Sequence, residues 1–147
     1  MKPEEIVKAA FDAVQKGDFK KARTYLSDDF QFSGPVPEPL GADQWLGLSA
    51  NLLEGFPDLD YHFRVESVSG DVVNCSVQMS GSHKGTLDMR AMGMGEFPAT
   101  GKTFKASLEH AKLTVHGEKI SELRVQPSKT AGVPFILESI GVKMPVV

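Results

Sequence analysis

The chain has one cysteine, Cys75, in 147 residues, which excludes an internal disulfide and a zinc site built on several thiolates. A basic excess is missing too: 16 Lys and Arg stand against 19 Asp and Glu, for a formal net charge of −3. Lysines such as Lys8, Lys20, Lys84 and Lys112 are scattered, so no stripe tracks a phosphate backbone and no nucleic-acid partner is expected. No apolar run approaches the roughly 18–20 residues of a membrane span, so no membrane association is expected. The opening Met-Lys-Pro-Glu-Glu-Ile-Val is charged and amphipathic, without the apolar core of a secretory signal, and the expectation is a cytoplasmic protein. The four histidines include no pair at helix or hairpin ligand spacing, so no metal is expected; no cofactor is expected either. Gly95 to Lys102 looks like a phosphate loop, but five residues separate its glycines where four are needed, and it leads into a strand.

What is present suffices for a core. At 41% hydrophobic and 24% charged, the chain fits one domain over residues 1–147 that buries roughly 68–70% of its unfolded surface. Ile6, Ala10, Ala13 and Val14 recur at helical spacing between Met1 and Gly17. Asp18 suits the cap of a short second helix through Phe19, Ala22 and Leu26. Phe30 to Phe32 alternates as a first strand, and Pro35, Pro37 and Pro39 then forbid regular structure. A third helix over Asp43–Phe56 carries Trp45, Leu48, Leu52 and Leu53, stopped by Gly55 and Pro57. Strands are expected over Leu59–Ser67, Val72–His83, Thr103–Val115 and Lys119–Val125, with turn residues at Ser69-Gly70-Asp71 and His116-Gly117-Glu118. A short helix over Thr130–Val142 closes the chain. Helices followed by antiparallel strands predict an α+β fold with helices on one face of a sheet.

Alternation sorts the strand faces. Val73, Cys75, Val77, Met79 and His83 share the inward side of one strand, and Tyr61 and Phe63 share that of another. Thr103–Val115 changes phase: Phe104, Ala106 and Leu108 lie on even positions, but Ala111, Leu113 and Val115 on odd ones. A β-bulge at Glu109-His110 would produce the switch, and bulges re-aim side chains near active sites, so either residue or both can face the interior.

The order of motifs resembles the SnoaL-like branch of the NTF2-like superfamily. It is carried by Gly17 to Pro35 (G-D-F-K-K-A-R-T-Y-L-S-D-D-F-Q-F-S-G-P), F-P-D leading into the sheet, G-S-H-K-G around His83, P-A-T-G-K ending at Lys102, and G-E-K-I ending at Ile120. The resemblance implies a cone of curved antiparallel sheet wrapped by three helices of the N-terminal half, with a short C-terminal helix. Members include polyketide cyclases that close a ring by cofactor-free aldol chemistry, and relatives include isomerases, epoxide hydrolases, dehydratases and non-catalytic domains. His83 matches the histidine of the family's G-T-H-x-G run. The cyclases' acid/base aspartate falls on His110 when the chain is anchored at Thr100-Gly101-Lys102, and on Ala111 when it is anchored at Lys119-Ile120. Paired subunits are common in the family, which implies a homodimer.

The reading that follows is a pocket for a hydrophobic small molecule, with proton transfer next to a carbonyl as in cyclisation or isomerisation; the rival is a binding or protein-interaction module without chemistry. His110, Glu109 and His83 are the catalytic candidates, because histidine holds both protonation states near neutrality and a buried glutamate is pushed towards it. Tyr61, Trp45, Phe63, Val77, Met79, Leu108 and Met92 are the expected pocket wall. Met89, Met92 and Met94, interleaved with Gly93 and Gly95, suit a mobile lid.

Overall fold

The computed structural model describes residues 1–34, 38–90 and 93–142. Helix α1 (Pro3–Gln15) has Pro3 in its first turn, where the missing N–H costs nothing, and buries Ile6, Val7, Ala10, Phe11 and Val14 along one stripe. The Asp18 carboxylate accepts the Lys21 N–H at 3.1 Å and opens α2 (Phe19–Arg23). Strand β1 (Leu26–Ser33) leads to α3 (Ala42–Gly55), where the Gln44 side chain accepts the Gly41 N–H at 2.9 Å. Then come β2 (Arg64–Ser69), β3 (Val72–Val77), β4 (Ser80–Ser82), β5 (Leu87–Asp88), β6 (Glu96–Phe97), β7 (Thr103–Lys105), β8 (Glu109–His116), β9 (Lys119–Val125) and α4 (Gly132–Ser139). No described helix is long and apolar enough to cross a membrane.

Five strands form one sheet in the order β1-β9-β8-β3-β2, antiparallel except for the parallel pair β1–β9. Two short ladders, β4 with β7 and β5 with β6, continue beyond it. The inner face carries Val73, Cys75, Ala111, Leu113, Val115, Ile120 and Leu123, all buried, and joins the helix stripes in one core. Each Val, Leu or Ile buried there contributes about 1.5–3 kcal/mol. The α+β architecture expected from the sequence is the one observed.

Three expected strands are shorter than expected. Val72–His83 divides into β3 and β4, because the facing segment carries one extra residue there: β3 pairs with β8 as far as Val77–Glu109, the Met79 carbonyl accepts the Ala106 N–H at 2.9 Å, and β4 pairs with β7 from Ser80–Lys105. Leu59–Ser67 becomes extended only from Arg64. His62 sits at φ 45, its N–H bonded to the Asp60 carboxylate (2.8 Å) and its Nδ1 donating to the Gln78 carbonyl (2.8 Å). Thr103–Val115 breaks between β7 and β8. Ser107 leaves the sheet to donate its N–H to the Thr130 carbonyl at 2.9 Å, and Leu108 is 48% exposed. The phase switch therefore falls at residues 106–108 and not at Glu109-His110: between the pairs Val77–Glu109 and Ser80–Lys105 three residues stand opposite two, and the extra one moves the alternation to the other parity. Register shifts do occur between Leu26 and Gln31, Val65 and Ser67, and Thr114 and Val115.

Candidate functional site

Register separates Glu109 from His110. Val77 pairs with Glu109, and Ser76 with His110, so the glutamate joins the inner face and the histidine the outer. Glu109 is 7% exposed and lines an apolar cavity of about 90 Å³ between the sheet, α1, α3 and α4. Burial alone raises its pKa from 4.5 to about 7, with no charged neighbour offsetting it. The carboxyl can therefore give or take a proton near neutral pH.

Tyr61 reaches the same cavity from the irregular segment before β2. Gln15 on α1 clamps that segment: its side-chain oxygen accepts the Tyr61 N–H at 2.9 Å, and its amide donates to the Leu59 carbonyl. Burial pushes the Tyr61 hydroxyl up to about 12, opposed by the nearby Ser49 hydroxyl. The phenol is thus a proton donor in hydrogen bonds and no base at neutral pH. Trp45, Val77 and Met79 complete the walls, while Gly132, Val133 and Ile136 of α4 face them.

Other expected site residues lie elsewhere. The His110 side chain is 63% exposed, with Nδ1 3.8 Å from Glu66 on the outer face, where it borders an open groove with Lys112 and Arg124. It faces away from the cavity because successive side chains on a strand point to opposite sides. Leu108 is exposed in the break between strands. Phe63 is half-buried and stacks on Phe11 (centroids 4.2 Å, planes 6° apart), outside the cavity lining. Met92 lies outside the described residues. Met89 is fully buried in the core and Met94 packs against it, so these two anchor the crossing and are not a lid over the cavity.

His83 is fully buried but does not line the cavity. Its ring packs against Phe56 at 5.3 Å, and its Nδ1 accepts the Thr100 N–H (3.2 Å) and lies 3.0 Å from the Thr100 hydroxyl. Accepting at Nδ1 places the neutral ring's proton on Nε2, which finds no hydrogen-bond partner among the described residues. Burial holds its pKa below the usual histidine value, partly opposed by the Phe97 backbone carbonyl. With the His83 N–H on the Lys102 carbonyl and its carbonyl taking the Gly101 N–H, His83 pins the 97–102 segment to the rim of the sheet.

Ser49 is the polar residue among the cavity-lining positions that the sequence reading missed, which also include Phe11, Phe32 and Ile136. It is buried and follows Trp45 by four residues on α3, in the same inward stripe as Leu48 and Leu52. That spacing was the signal that could have found it.

A curved sheet covered by helices, with Glu109 the one buried carboxylate among the described residues, defines an α+β fold. The chain belongs to the family of SnoaL-like polyketide cyclases, whose model matches residues 4–131. Among solved structures it is similar to a proposed SnoaL-like polyketide cyclase from Jannaschia sp. CCS1, with a TM-score of 0.70 and 22% identity over 97% of this chain and 93% of that one. IdmH, a proposed polyketide cyclase from Streptomyces antibioticus, gives a TM-score of 0.71 and 21% identity over 97% and 100%. AclR, a proposed hydroxylase from Streptomyces galilaeus, gives 0.68 and 18% over 97% and 97%. At these identities the likenesses show the NTF2-like fold alone. No curated protein matches.

Proposed function

We propose that the chain is a cofactor-free acid/base catalyst acting beside a carbonyl of a hydrophobic small molecule, with Glu109 moving the proton. One observation carries the reading: a carboxyl poised at about pKa 7 in an apolar cavity that also holds the Tyr61 hydroxyl. Glu109 takes the proton next to the carbonyl; the enolate then either takes it back at another carbon, or attacks a second carbonyl to form a C–C bond while that carbonyl's π pair moves to its oxygen, which receives the proton. Tyr61 donates a hydrogen bond to the oxygen as it gains charge, and Ser49 steadies the phenol. His110 and His83 have no place in this step.

The cavity is smaller than the roughly 300–1,000 Å³ of common ligand sites. Its occupant places a small reacting end against Glu109, while α4, which opens at Gly132 and is followed by Gly141, at φ 82 and 94, shifts outward to pass the remainder. The outer sheet face presents Lys112 and Arg124 beside Glu66 and Glu122, charges of both signs that meet their opposites across a two-fold axis. A homodimer through this face is part of the proposal.

Deuterium exchange at the α-carbon of cyclohexanone, followed by NMR in D2O, tests the chemistry. The protein should accelerate exchange, more so as pH rises through about 7, and Glu109→Gln should abolish the acceleration. Saturable binding without exchange would overturn the catalytic reading and leave a binding module.

A further inference from the structure

We infer that the Glu109 cavity binds a small organic cation, an alkylated ammonium group of about the size of tetramethylammonium. This rests on the reading that the cavity is a ligand site, and it names a charge class that reading does not. Four aromatic side chains line the space: Phe11, Phe32, Trp45 and Tyr61. They hold one another in place, with Trp45 6.0 Å from Phe11 and 6.2 Å from Phe32, and Phe11 6.2 Å from Tyr61, between ring centroids. Aromatic faces carry negative potential that attracts cations most strongly when water is excluded, and several such rings around one space recognise methylated ammonium groups.

Glu109 supplies the formal charge. The groups lining the cavity with it come from α1, α3, α4, β1, β3, β9 and the Tyr61 segment, and none of them is a Lys, Arg or His. Tyr61 is the one other titratable side chain in that lining and stays a neutral phenol. A carboxylate without a partner gains one when a cation enters, whereas an anion would be repelled. About 90 Å³ holds an alkylated head group but not the water shell of a primary ammonium, which is strongly hydrated. A bound cation also occupies Glu109 in its ionised form, so it competes with the proton there and with any ketone that needs the same base.

Choline chloride, titrated into the full chain at fixed ionic strength and followed by the fluorescence of Trp45, the only tryptophan, tests the inference. The controls are 3,3-dimethyl-1-butanol, its uncharged carbon isostere, and cyclohexanone. At pH 8 choline should bind at least tenfold more tightly than the isostere. That advantage should shrink about tenfold per pH unit once Glu109 protonates below about 7, and choline should inhibit ketone exchange competitively. Glu109→Gln should remove the advantage and keep the isostere's affinity. The wild-type comparison of charged and uncharged probes needs no variant to fold. If the isostere or cyclohexanone binds as tightly as choline at pH 8, or if the preference survives in Glu109→Gln, the cation inference falls while the ligand site stands. If none of the three probes binds, both fall.

Discussion

Replacing Glu109 by glutamine should stabilise the protein above neutral pH and lose that advantage in acid. The native carboxyl holds its proton up to about pH 7, whereas the unfolded chain releases it near 4.5. Between these values the native state binds more protons, so stability falls as pH rises. The rise of about 2.5 in pKa, at about 1.36 kcal/mol per unit, makes the full loss about 3 kcal/mol. It is complete above about pH 8 and absent below about pH 4. Glutamine has the same shape and no charge, so its own burial cost is independent of pH. Urea unfolding of both proteins at pH 5, 6, 7 and 8 therefore isolates the charge in their difference. His83, whose lowered pKa makes stability fall as pH drops below 6.5, is common to both and cancels. Asp88, held down at about 2 mainly by hydrogen bonds from Arg90, acts only below this range. The variant's relative stability should grow by about 2.5 kcal/mol from pH 5, where part of the loss has already occurred, to pH 8, or by roughly 5–10 °C in melting temperature. A difference that stays flat across this range would refute the claim that Glu109 is buried without a partner.

Two further outcomes follow from the geometry. The His83 ring should show, in nitrogen-resolved NMR, a bare Nδ1 and a protonated Nε2, and should stay neutral to a lower pH than an ordinary imidazole; a protonated Nδ1 at neutral pH would contradict the Thr100 contacts. Gly34→Ala should cost about 3 kcal/mol or more in urea unfolding, since a Cβ there would lie 1.8 Å from the Val125 carbonyl oxygen at φ 116. A near-wild-type midpoint would show that β1 does not approach β9 so closely.

The elements were legible because each carries its own period. The α1 and α3 stripes, the Asp18 cap and the alternation of β3, β8 and β9 are local, and packing confirmed them. Strand ends were not, since they depend on which partner accepts the next hydrogen bond. Val77 and Met79 share one face by alternation, yet an extra residue on the facing segment interrupts the ladder between them. Likewise, Ser107 turns away because Thr130, 23 residues on, offers an acceptor.

Glu109 and His110 show most sharply where sequence reasoning stops. Alternation detected a change of phase between Leu108 and Ala111 but could not place it, because an extra residue at 106–108 and one at 109–110 leave the same pattern of apolar residues. A bulge at 109–110 would have permitted both side chains to face inward. An extra residue at 106–108 puts Glu109 opposite Val77 and leaves His110 in solvent, and the chemistry changes with it. A histidine–carboxylate pair would have held the glutamate ionised at low pKa, as opposite charges do. Alone among Trp45, Tyr61 and Val77, the same carboxyl is raised to about 7 by desolvation. The property that makes Glu109 a candidate proton carrier, and the unpaired charge that makes the cavity a candidate cation site, thus both depend on the neighbour that the strand geometry removed.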